Sequence, residues 1–255
     1  MSETGSITTS ARNDSVVVIP TYNEAENLER LVEMVLAQGP FDVLVVDDNS
    51  PDGTGAIAEA LGDRYPGRVV VLHRPAKQGL GTAYRAGFGY ALARGYAYVF
   101  EMDADFSHDP KALPQLRAAL NKADMVLGSR YVRGGATANW PFARRLLSRC
   151  GSLYAALVLG LPFHDLTGGF KGFAARVLQS LDLDAIQSNG YAFQIEVTYR
   201  AYRSGFRIVE YPITFVDRRL GKSKMRPGIV TEALRIVWAL RLGPPSPAIQ
   251  EASAR

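Results

Sequence analysis

An acidic pair at the end of an apolar run is the stretch of this sequence with the clearest chemical use. The run that begins at Tyr98 ends in Asp103 and Asp105, which a single alanine separates. Two neighbouring carboxylates raise each other's pKa, and a hard divalent cation relieves their repulsion while also holding phosphate oxygens. The pair therefore indicates metal-assisted phosphate chemistry, although a solvated turn at a strand end explains the same short pattern equally well.

The segments around this pair alternate between short apolar runs and stretches with helical spacing. The apolar runs occupy residues 16–19, 43–46, 69–72, 98–102 and 124–128. Repeated β-α-β units of this length predict the α/β class, with a Rossmann-like, doubly wound, mostly parallel sheet flanked by helices.

Three of the apolar runs lead into polar clusters, at residues 20–24, 48–54 and 103–107. Because the carboxyl ends of parallel strands share one edge of a sheet, where ligands bind, these clusters predict a single site. Thr21 and Glu24 have the spacing of a capping box, which predicts that a helix begins there. The second cluster contains neither a Gly-x-Gly-x-x-Gly nor a Gly-Lys-Ser/Thr motif, which argues against a dinucleotide fold and a P-loop.

The composition is that of a soluble globular protein. The 255 residues carry a net charge of +4 with a pI of about 9.2, and 47% of them are hydrophobic. This mild positive charge suits phosphate-bearing ligands or an anionic membrane surface and is too weak to indicate nucleic acid. Cys150 is the single cysteine, so a disulfide framework and a cysteine-rich zinc site are excluded and a reducing cytosolic setting is expected.

The chain is expected to form one domain, residues 15–242, between two flexible tails. Residues 1–14 are polar and lack the apolar core of a signal peptide, and residues 243–255 begin with a Gly-Pro-Pro-Ser-Pro run. The longest apolar stretch, residues 153–163, falls short of the roughly 20 apolar residues that span a bilayer.

Two amphipathic helices are predicted near residues 142–161 and 228–242. In the first, apolar residues such as Leu146 and Leu153 recur at helical spacing. Its polar side is predicted to comprise Arg144, Arg145, Ser148, Arg149 and Ser152. A basic amphipathic helix is typical of a membrane interface, and packing of such a helix on the sheet with its arginines in water is at least as common.

The motifs at the strand ends resemble those of the GT-A glycosyltransferases of family 2. They are Ile-Pro-Thr-Tyr-Asn-Glu (19–24), Asp-Asp-Asn-Ser-Pro-Asp-Gly-Thr (47–54) and Asp-Ala-Asp (103–105). Later motifs are similar to those of polyprenol- or dolichol-phosphate mannosyltransferases: Gly-Ser-Arg-Tyr (128–131), Asp-Leu-Thr-Gly-Gly-Phe-Lys-Gly-Phe (165–173) and Phe-Val-Asp-Arg-Arg-Leu-Gly-Lys-Ser-Lys-Met (215–225). The resemblance extends from about residue 16 to about residue 242.

This resemblance implies inverting transfer of mannose from GDP-mannose to a polyprenyl phosphate, with Mg²⁺ or Mn²⁺ as cofactor. By motif matching, the residues that hold the nucleotide sugar are Pro20, Tyr22, Glu24, Val46, Asp48, Asp103, Ala104, Asp105, Arg130, Arg218 and Lys224. The implied catalytic residues are Asp103, Asp105, Arg130, Arg218 and Lys224. The implied metal ligands are Asp103, Asp105 and Ser107. Relatives often have glutamine at the position of Ser107.

The implied chemistry is consistent with these residue types. Transfer from a nucleotide diphosphate builds negative charge on the leaving group, which a metal and fixed cations stabilise without proton transfer. The basic segment 218–224 is expected to close over the bound nucleotide, and Arg144 or Arg145 to meet the acceptor phosphate. Because that phosphate is largely dianionic at neutral pH, no dedicated general base is expected, and Asp165 is expected to fix its own loop by capping.

A polyprenyl tail stays in lipid, so the protein is expected on the cytoplasmic face of a membrane, either peripheral or recruited by a separate membrane subunit. The main alternative is transfer of glucose from UDP-glucose to the same acceptor. A polysaccharide synthase is disfavoured because the chain lacks a Gln-x-x-Arg-Trp motif. A non-enzymatic nucleotide-sugar sensor is disfavoured by the intact acidic triplet and basic segment.

Overall fold

The computed structural model of the chain describes residues 13–186, 188–217 and 227–243, and of residues 227–233 it describes the backbone only. The strands in these ranges are β1 (Ser15–Thr21), β2 (Phe41–Asp47), β3 (Val69–His73), β4 (Tyr98–Glu101), β5 (Met125–Ser129), β6 (Ala136–Ala138), β7 (Lys171–Ala174), β8 (Ile208–Pro212) and β9 (Thr214–Val216). The helices are α1 (Leu28–Leu36), α2 (Thr54–Arg64), α3 (Leu80–Ala93), α4 (Leu113–Ala119), α5 (Phe142–Leu159), α6 (Ala175–Ser180), α7 (Gly190–Arg203) and α8 (Pro227–Leu242), and Pro110–Ala112 forms a 3-10 turn.

A single mixed sheet organises the described chain, with the strand order β3-β2-β1-β4-β7-β5-β8. Strands β1 to β4 are parallel, and β5 is parallel to β8. Strand β7 is antiparallel to both of its neighbours, β4 and β5. Strands β6 and β9 form a separate parallel pair. The predicted doubly wound, mostly parallel sheet is therefore confirmed.

Alternation along β1 explains why the sheet is covered on both faces. Val16 and Val18 belong to a core shared with α3, α5 and α7, whereas Val17 and Ile19 belong to a core shared with α1, α2 and α4. All four side chains are at most 1% exposed. A strand buried on both faces is a continuous apolar run, and each such side chain stabilises the fold by roughly 1.5–3 kcal/mol.

Strand β7 was not predicted, and a glycine explains how it fits between β4 and β5. Gly172 lies opposite Phe100 in the antiparallel register. A Cβ atom at position 172 would lie 2.6 Å from Cε1 of the Phe100 ring, so a larger residue would displace that ring. The same register places Lys171 opposite Glu101 in the middle of the sheet.

The predicted capping box at Thr21 and Glu24 is wrong. Strand β1 continues through Thr21, whose hydroxyl donates to Asp47 Oδ1 at 3.0 Å. The helix begins only at Leu28, after Asn27, whose side chain makes no capping hydrogen bond. The Thr21 hydroxyl therefore joins two strand ends instead of starting a helix.

The predicted amphipathic helices are both present, but the inner face of α5 differs from the prediction. Ser152 was predicted on the solvated side, whereas it is fully buried, and Ala155 and Leu159 are the other buried residues of this helix. The Ser152 hydroxyl accepts a hydrogen bond from the backbone N–H of Leu166 at 3.3 Å. Small residues thus bring α5 close to the core, and Leu153 and Leu157 are left 57% and 73% exposed.

Most of the two predicted tails lies outside the described residues, and so does the basic segment that contains Arg218 and Lys224. The predicted division into one domain between flexible tails therefore stays a prediction. Among the helices that the structure describes, none combines the length and hydropathy needed to cross a membrane.

Candidate active site

The polar clusters that follow β1, β2 and β4 lie together at the carboxyl edge of the sheet, as predicted. Thr21 pairs with Asp47 in the parallel register, and the backbone N–H of Asp48 donates to Thr21 O at 3.1 Å. Strand β4 pairs with β1 in parallel, so Asp103 emerges on the same side as Asp48. Parallel strands thus bring residues from distant parts of the sequence to one edge.

The loop after β1 is fastened to the loop after β2. The backbone N–H of Asn23 donates to Ser50 Oγ at 3.1 Å, and that of Glu24 donates to Thr54 Oγ1 at 2.9 Å. Asp52 accepts from the backbone N–H of Ala25 at 3.1 Å. Much of the 47–54 motif therefore shapes the loops that carry Pro20, Tyr22 and Glu24.

Asp48 is, with Asp47, one of two buried carboxylates at this part of the edge. Its Oδ1 lies 2.9 Å from Nη1 of Arg74, and both side chains are less than 10% exposed. Burial raises the pKa of Asp48, and the charge of Arg74 opposes that rise. Sequence analysis missed Arg74, which follows β3 without a recognisable motif.

Hydrogen bonds within the acidic turn fix the orientation of its backbone and side chains. The backbone N–H of Asp103 donates to His108 Nδ1, and that of Ser107 donates to Asp105 Oδ1, each at 3.1 Å. Burial lowers the pKa of His108 to about 4, so this imidazole is a neutral acceptor at neutral pH. Phe106 adopts a positive φ of 59°, a strained conformation that these neighbouring bonds maintain.

Tyr84 of α3 supports the turn from the core. Its hydroxyl donates to Asp103 Oδ1 at 3.2 Å, and its ring stacks on that of Phe193 with centroids 5.9 Å apart. Burial raises the pKa of this phenol most, and the negative charge of Asp103 raises it further. The phenol therefore stays protonated and remains a hydrogen-bond donor. Tyr84 therefore positions one of the predicted catalytic carboxylates, and no sequence motif indicated it.

The acidic turn fits a divalent cation. Asp103 and Asp105 supply carboxylate oxygens, and the Ser107 hydroxyl is buried without a hydrogen-bond partner among the described residues. The described chain contains no group of three or more acidic, histidine or cysteine side chains that could enclose a metal alone. A site with one or two carboxylates suits Mg²⁺ or Mn²⁺, because substrate phosphates and water complete the coordination.

A buried glutamate and a buried lysine lie next to the turn on neighbouring strands. Glu101 and Lys171 are at most 1% exposed and face each other across β4 and β7. Lys171 Nζ donates to the carbonyl of Gln194 at 2.6 Å and to Thr198 Oγ1 at 2.9 Å. Burial raises the pKa of Glu101 to about 7, and Lys171 opposes that rise. The sequence feature that could have indicated a buried polar partner is a glutamate, Glu101, inside an apolar run.

Arg130 is held by Asp165, whose role differs from the sequence prediction. Its Nε and Nη2 donate to the two oxygens of Asp165 at 2.7 and 2.6 Å, and both residues are buried. Nη2 also donates to Thr167 at 2.9 Å, and the guanidinium lies over the rings of Trp140 and Phe215. Asp165 also accepts from the Arg130 backbone N–H, so it fixes Arg130 and does not cap its own loop as predicted.

Strand β9 connects the acidic turn to the surface of α5. The Val216 backbone N–H donates to Ser107 O at 3.2 Å, and the Phe215 ring contacts the rings of His108 and Trp140 edge-on. The next residue, Asp217, forms an ion pair with Arg144 of α5 at 2.6 Å. Strand β9 therefore ends beside the acidic turn, and the basic segment 218–224, with Arg218 and Lys224, lies outside the described residues.

Helices α5 and α8 form an apolar surface next to this connection. The exposed side chains are Phe142, Leu146, Leu147, Leu153 and Leu157 of α5 and Leu234, Trp238 and Leu242 of α8. Arg144 lies at the base of this surface, 4.3 Å above the Trp140 ring. Exposed apolar side chains on two helices that contact each other, with arginines among them, are typical of an interaction site.

The mixed α/β sheet with an acidic turn at its carboxyl edge is the architecture of glycosyltransferases of the GT-A fold. The sequence profile of glycosyl transferase family 2 matches residues 16–182. The chain belongs to this family and is a glycosyltransferase.

Two curated relatives match most of the chain. Polyprenol monophosphomannose synthase of Mycolicibacterium smegmatis is 48% identical over 231 residues, which cover 89% of this chain and 87% of that protein. Undecaprenyl-phosphate mannosyltransferase of Micrococcus luteus is 52% identical over 228 residues, which cover 88% of this chain and 93% of that protein. These identities confirm the family resemblance that the motifs indicated.

Solved structures confirm the fold. Glucosyl-3-phosphoglycerate synthase of Mycobacterium tuberculosis, crystallised with Mn²⁺, UDP-glucose and phosphoglyceric acid, matches with a TM-score of 0.65 and 17% identity, covering 91% of this chain and 80% of that chain. The complex of the same enzyme with Mn²⁺, UDP and glucosyl-3-phosphoglycerate matches with a TM-score of 0.63 and 18% identity, covering 91% of this chain and 81% of that chain.

Proposed function

We propose that the protein transfers mannose from GDP-mannose to a polyprenyl phosphate, with inversion at the anomeric carbon. The observation that carries this proposal is the direct connection of the acidic turn to the exposed apolar surface of α5 and α8, through β9 and the Arg144–Asp217 pair. A lipid phosphate needs both features, because its tail stays in an apolar phase while its phosphate reacts. The names of the two curated relatives, which contain polyprenol and undecaprenyl phosphate, agree with it.

The donor would lie along the carboxyl edge of the sheet. Pro20, Tyr22, Glu24, Val46 and Asp48 would hold the guanosine, and Asp103, Ala104 and Asp105 would meet the ribose, the diphosphate and the metal. Asp103, Asp105 and Ser107 would hold Mg²⁺ or Mn²⁺, which supplies positive charge for the departing diphosphate. Arg218 and Lys224 would add cationic donors to the same phosphates.

Arg130 would act beside the phosphates while Asp165 fixes its guanidinium plane. A buried, bidentate pair costs little reorganisation when negative charge develops nearby, which is the requirement for electrostatic stabilisation. The Trp140 and Phe215 rings, 5.3 and 5.4 Å from the guanidinium carbon, restrict that plane further. The role of Asp165 is then to position Arg130.

The acceptor phosphate would attack without help from a protein base. One of its oxygens forms a bond to the anomeric carbon as the bond from that carbon to the diphosphate breaks, and GDP leaves from the opposite face. The second pKa of a phosphate monoester is about 6, so the attacking oxygen carries no proton at neutral pH. Arg144 or Arg145, at the start of α5, would offset the repulsion between the two phosphates.

We also propose that the protein is peripheral at a membrane, with α5 and α8 in contact with lipid. The exposed leucines and the arginines of α5 support this arrangement, because apolar burial and attraction to anionic lipid act together at an interface. Location on the cytoplasmic face and recruitment by a separate membrane-anchoring subunit stay predictions.

The test is incubation with a lipid phosphate and radiolabelled GDP-mannose or UDP-glucose, with Mg²⁺ or Mn²⁺ present. Labelled lipid is expected only from GDP-mannose, and ¹H NMR of the product is expected to show an inverted anomeric configuration. Titration calorimetry is expected to show tighter binding of GDP than of UDP. Transfer of glucose from UDP-glucose, with tighter UDP binding, would establish the glucosyl alternative instead.

A further inference from the structure

The loop between β3 and α3 is fastened beside Asp48, where the guanosine is proposed to bind. The backbone N–H of Arg74 donates to Asp47 O at 2.8 Å, and Asn49 Nδ2 donates to Pro75 O at 3.2 Å. The backbone N–H of Gln78 opposes the rise in the pKa of Asp48. Side chains of this loop, none of which the sequence motifs indicated, are therefore held at the base-binding edge.

Arg74 is committed to structural contacts in this loop. It is 9% exposed, and its Nη2 donates to Gln78 Oε1 at 3.1 Å and to Thr82 Oγ1 at 2.8 Å. Its Nη1 lies 2.9 Å from Asp48 Oδ1, although within the described residues neither atom completes an aligned hydrogen bond. A carboxylate has about four lone-pair sites, so Asp48 keeps capacity to accept from a ligand.

Lys77 is the exposed cation of the same loop. Its Nζ lies 4.0 Å from the centroid of the Tyr22 ring, and its charge acts on Asp48. Lys77, Tyr22 and Asp48 thus place a cation, an aromatic ring and an anion at the same edge of the sheet. A planar heterocycle that has both acceptors and donors on its edges matches this combination.

We propose that Lys77 determines base specificity by donating to the O6 and N7 acceptors of guanine, while Asp48 accepts from the N1 and N2 donors. This inference rests on the proposed GDP-mannose donor and adds a residue that reads the base. Lysine pairs with O6 and N7 of guanine in nucleic-acid recognition for the same geometric reason.

The two contacts reject different wrong bases. Adenine has an amino group in place of O6 and an unprotonated N1, so it presents a donor to Lys77 and an acceptor to Asp48. Uracil has a carbonyl in place of the N2 amino group, which would face the Asp48 carboxylate. A site built to hydrogen-bond one base strongly rejects an analogue that leaves its polar groups unpaired.

The test is titration calorimetry of the full chain with Mn²⁺ and one of three ligands: GDP, UDP or 2-aminopurine riboside diphosphate, which lacks O6. Lys77→Met is expected to weaken GDP binding about tenfold, the lower end for a charge-assisted hydrogen bond. The 2-aminopurine analogue keeps the N7 acceptor but also lacks the N1 proton, so the wild type is expected to bind it more weakly than GDP, and Lys77→Met is expected to lower its affinity by less than that of GDP. Lys77→Arg is expected to retain most of the GDP affinity.

Lys122→Met is the matched control, because Lys122 is exposed and lies before β5 at the opposite edge of the sheet. An unchanged GDP affinity in Lys77→Met would overturn the inference. Equal losses for GDP, UDP and the analogue would also overturn it, since Lys77 would then contact the diphosphate. If the wild-type protein binds UDP more tightly than GDP, the proposed donor itself is wrong, and this result appears before any variant is compared.

Discussion

Asp105 has one observed and one proposed role, because its Oδ1 accepts from the Ser107 backbone N–H and its carboxylate is proposed to bind the metal. Asp105→Asn keeps an acceptor oxygen for the Ser107 N–H but removes the charge. We expect the fold to persist and transfer to fall at least about 100-fold, since even changes in residues that support metal ligands cost 10–100-fold. Turnover at saturating Mn²⁺, with Mn²⁺ binding measured separately in the presence of GDP, checks this prediction.

Asp109→Asn is the control for this variant. Asp109 lies on the exposed side of the same loop, where it accepts from the Lys111 backbone N–H at 3.0 Å. Its replacement removes the same charge four residues away and is expected to leave transfer within about twofold of wild type, because surface substitutions have small effects. Near-normal turnover of Asp105→Asn at saturating metal would exclude Asp105 as a metal ligand.

The Asp165→Asn variant tests the proposal that transfer needs no general base from the protein. In Asp165→Asn the buried Arg130 loses its anionic partner, so unfolding free energy is expected to fall by about 3–5 kcal/mol, the usual cost of breaking a buried pair. Turnover is expected to fall because Arg130 is no longer fixed. In both proteins the pH–rate profile should rise with the acceptor's ionisation near pH 6 and then flatten.

Circular dichroism and thermal melting first establish that Asp165→Asn is folded at the assay temperature. A several-thousandfold loss of turnover with donor and acceptor binding intact, accompanied by loss of the pH-dependent rise, would show that Asp165 is a base. Retention of the rise at reduced turnover supports the positioning role, since the ionising group then belongs to the acceptor.

At the scale of elements, the strands that were predicted are those with apolar runs. Strand β7 shows why other strands were missed. Strand β7 has four residues, begins with Lys171 and contains Gly172, so neither its composition nor its length indicates a strand. Its place depends on a ring in β4 and a carboxylate in the same strand, which are tertiary contacts. A short strand that pairs through such contacts carries no local periodicity.

Helix α5 shows a similar limit of sequence periodicity. Spacing identified the helix but assigned Ser152 to water, whereas its hydroxyl pairs with backbone and lets α5 approach the core closely. Periodicity assumes that apolar side chains face inward, and α5 instead exposes Leu153 and Leu157. This departure is itself the structural argument for a lipid-facing helix.

We predict reversible binding of the protein to anionic liposomes through α5, weakened by salt. Replacing Arg144, Arg145 and Arg149 with glutamine is expected to lower liposome affinity by about 1 kcal/mol per charge and to reduce the salt dependence. Flotation with liposomes of increasing anionic lipid content measures both effects. Leu153→Ser and Leu157→Ser are expected to weaken binding at all salt concentrations, because they remove apolar contact.

The matched control replaces Arg64, Arg176 and Arg207 with glutamine, which changes the net charge equally. These arginines are exposed and lie at the end of α2, in α6 and before β8, at the opposite edge of the sheet from the site. If this control and the α5 variant lose binding equally, overall charge and not α5 governs association. Unchanged flotation of the α5 variant would mean that α5 does not bind lipid.

Across the whole molecule, residues predicted from motifs and residues found only in the structure play different roles. Asp48, Asp103, Asp105 and Arg130 follow strands directly, so their order in the sequence indicated their common edge. The partners of three of them, Arg74, Tyr84 and Asp165, come from segments that are remote in sequence. The choice of partner depends on packing between α3, α7 and the sheet, and a single sequence does not record such packing.

The buried pair of Glu101 and Lys171 makes the stability of the whole domain depend on pH. Burial raises the pKa of Glu101 from 4.5 to about 7, with Lys171 opposing the rise, and burial lowers the pKa of Lys171 to about 8. Between about pH 4.5 and pH 7 the folded state therefore retains a proton that the unfolded state has released. The stability that protonated Glu101 contributes is therefore greatest below its unfolded pKa of 4.5. It is lost as the pH rises through its folded pKa of about 7.

Glu101→Gln removes this titration, so its unfolding free energy relative to wild type is expected to rise between about pH 5 and pH 7.5, by more than about 1 kcal/mol. Denaturant unfolding of both proteins, with a chelator present so that no divalent cation adds charge beside Glu101, measures the difference at each pH. All other carboxylates are common to the two proteins, so their contributions to the pH dependence cancel in the difference. Glu26→Gln, at an exposed position before α1, is the control and is expected to show a constant difference from wild type. A constant difference for Glu101→Gln as well would mean that Glu101 titrates in the folded protein as it does in the unfolded chain, and that Lys171 fully compensates its burial.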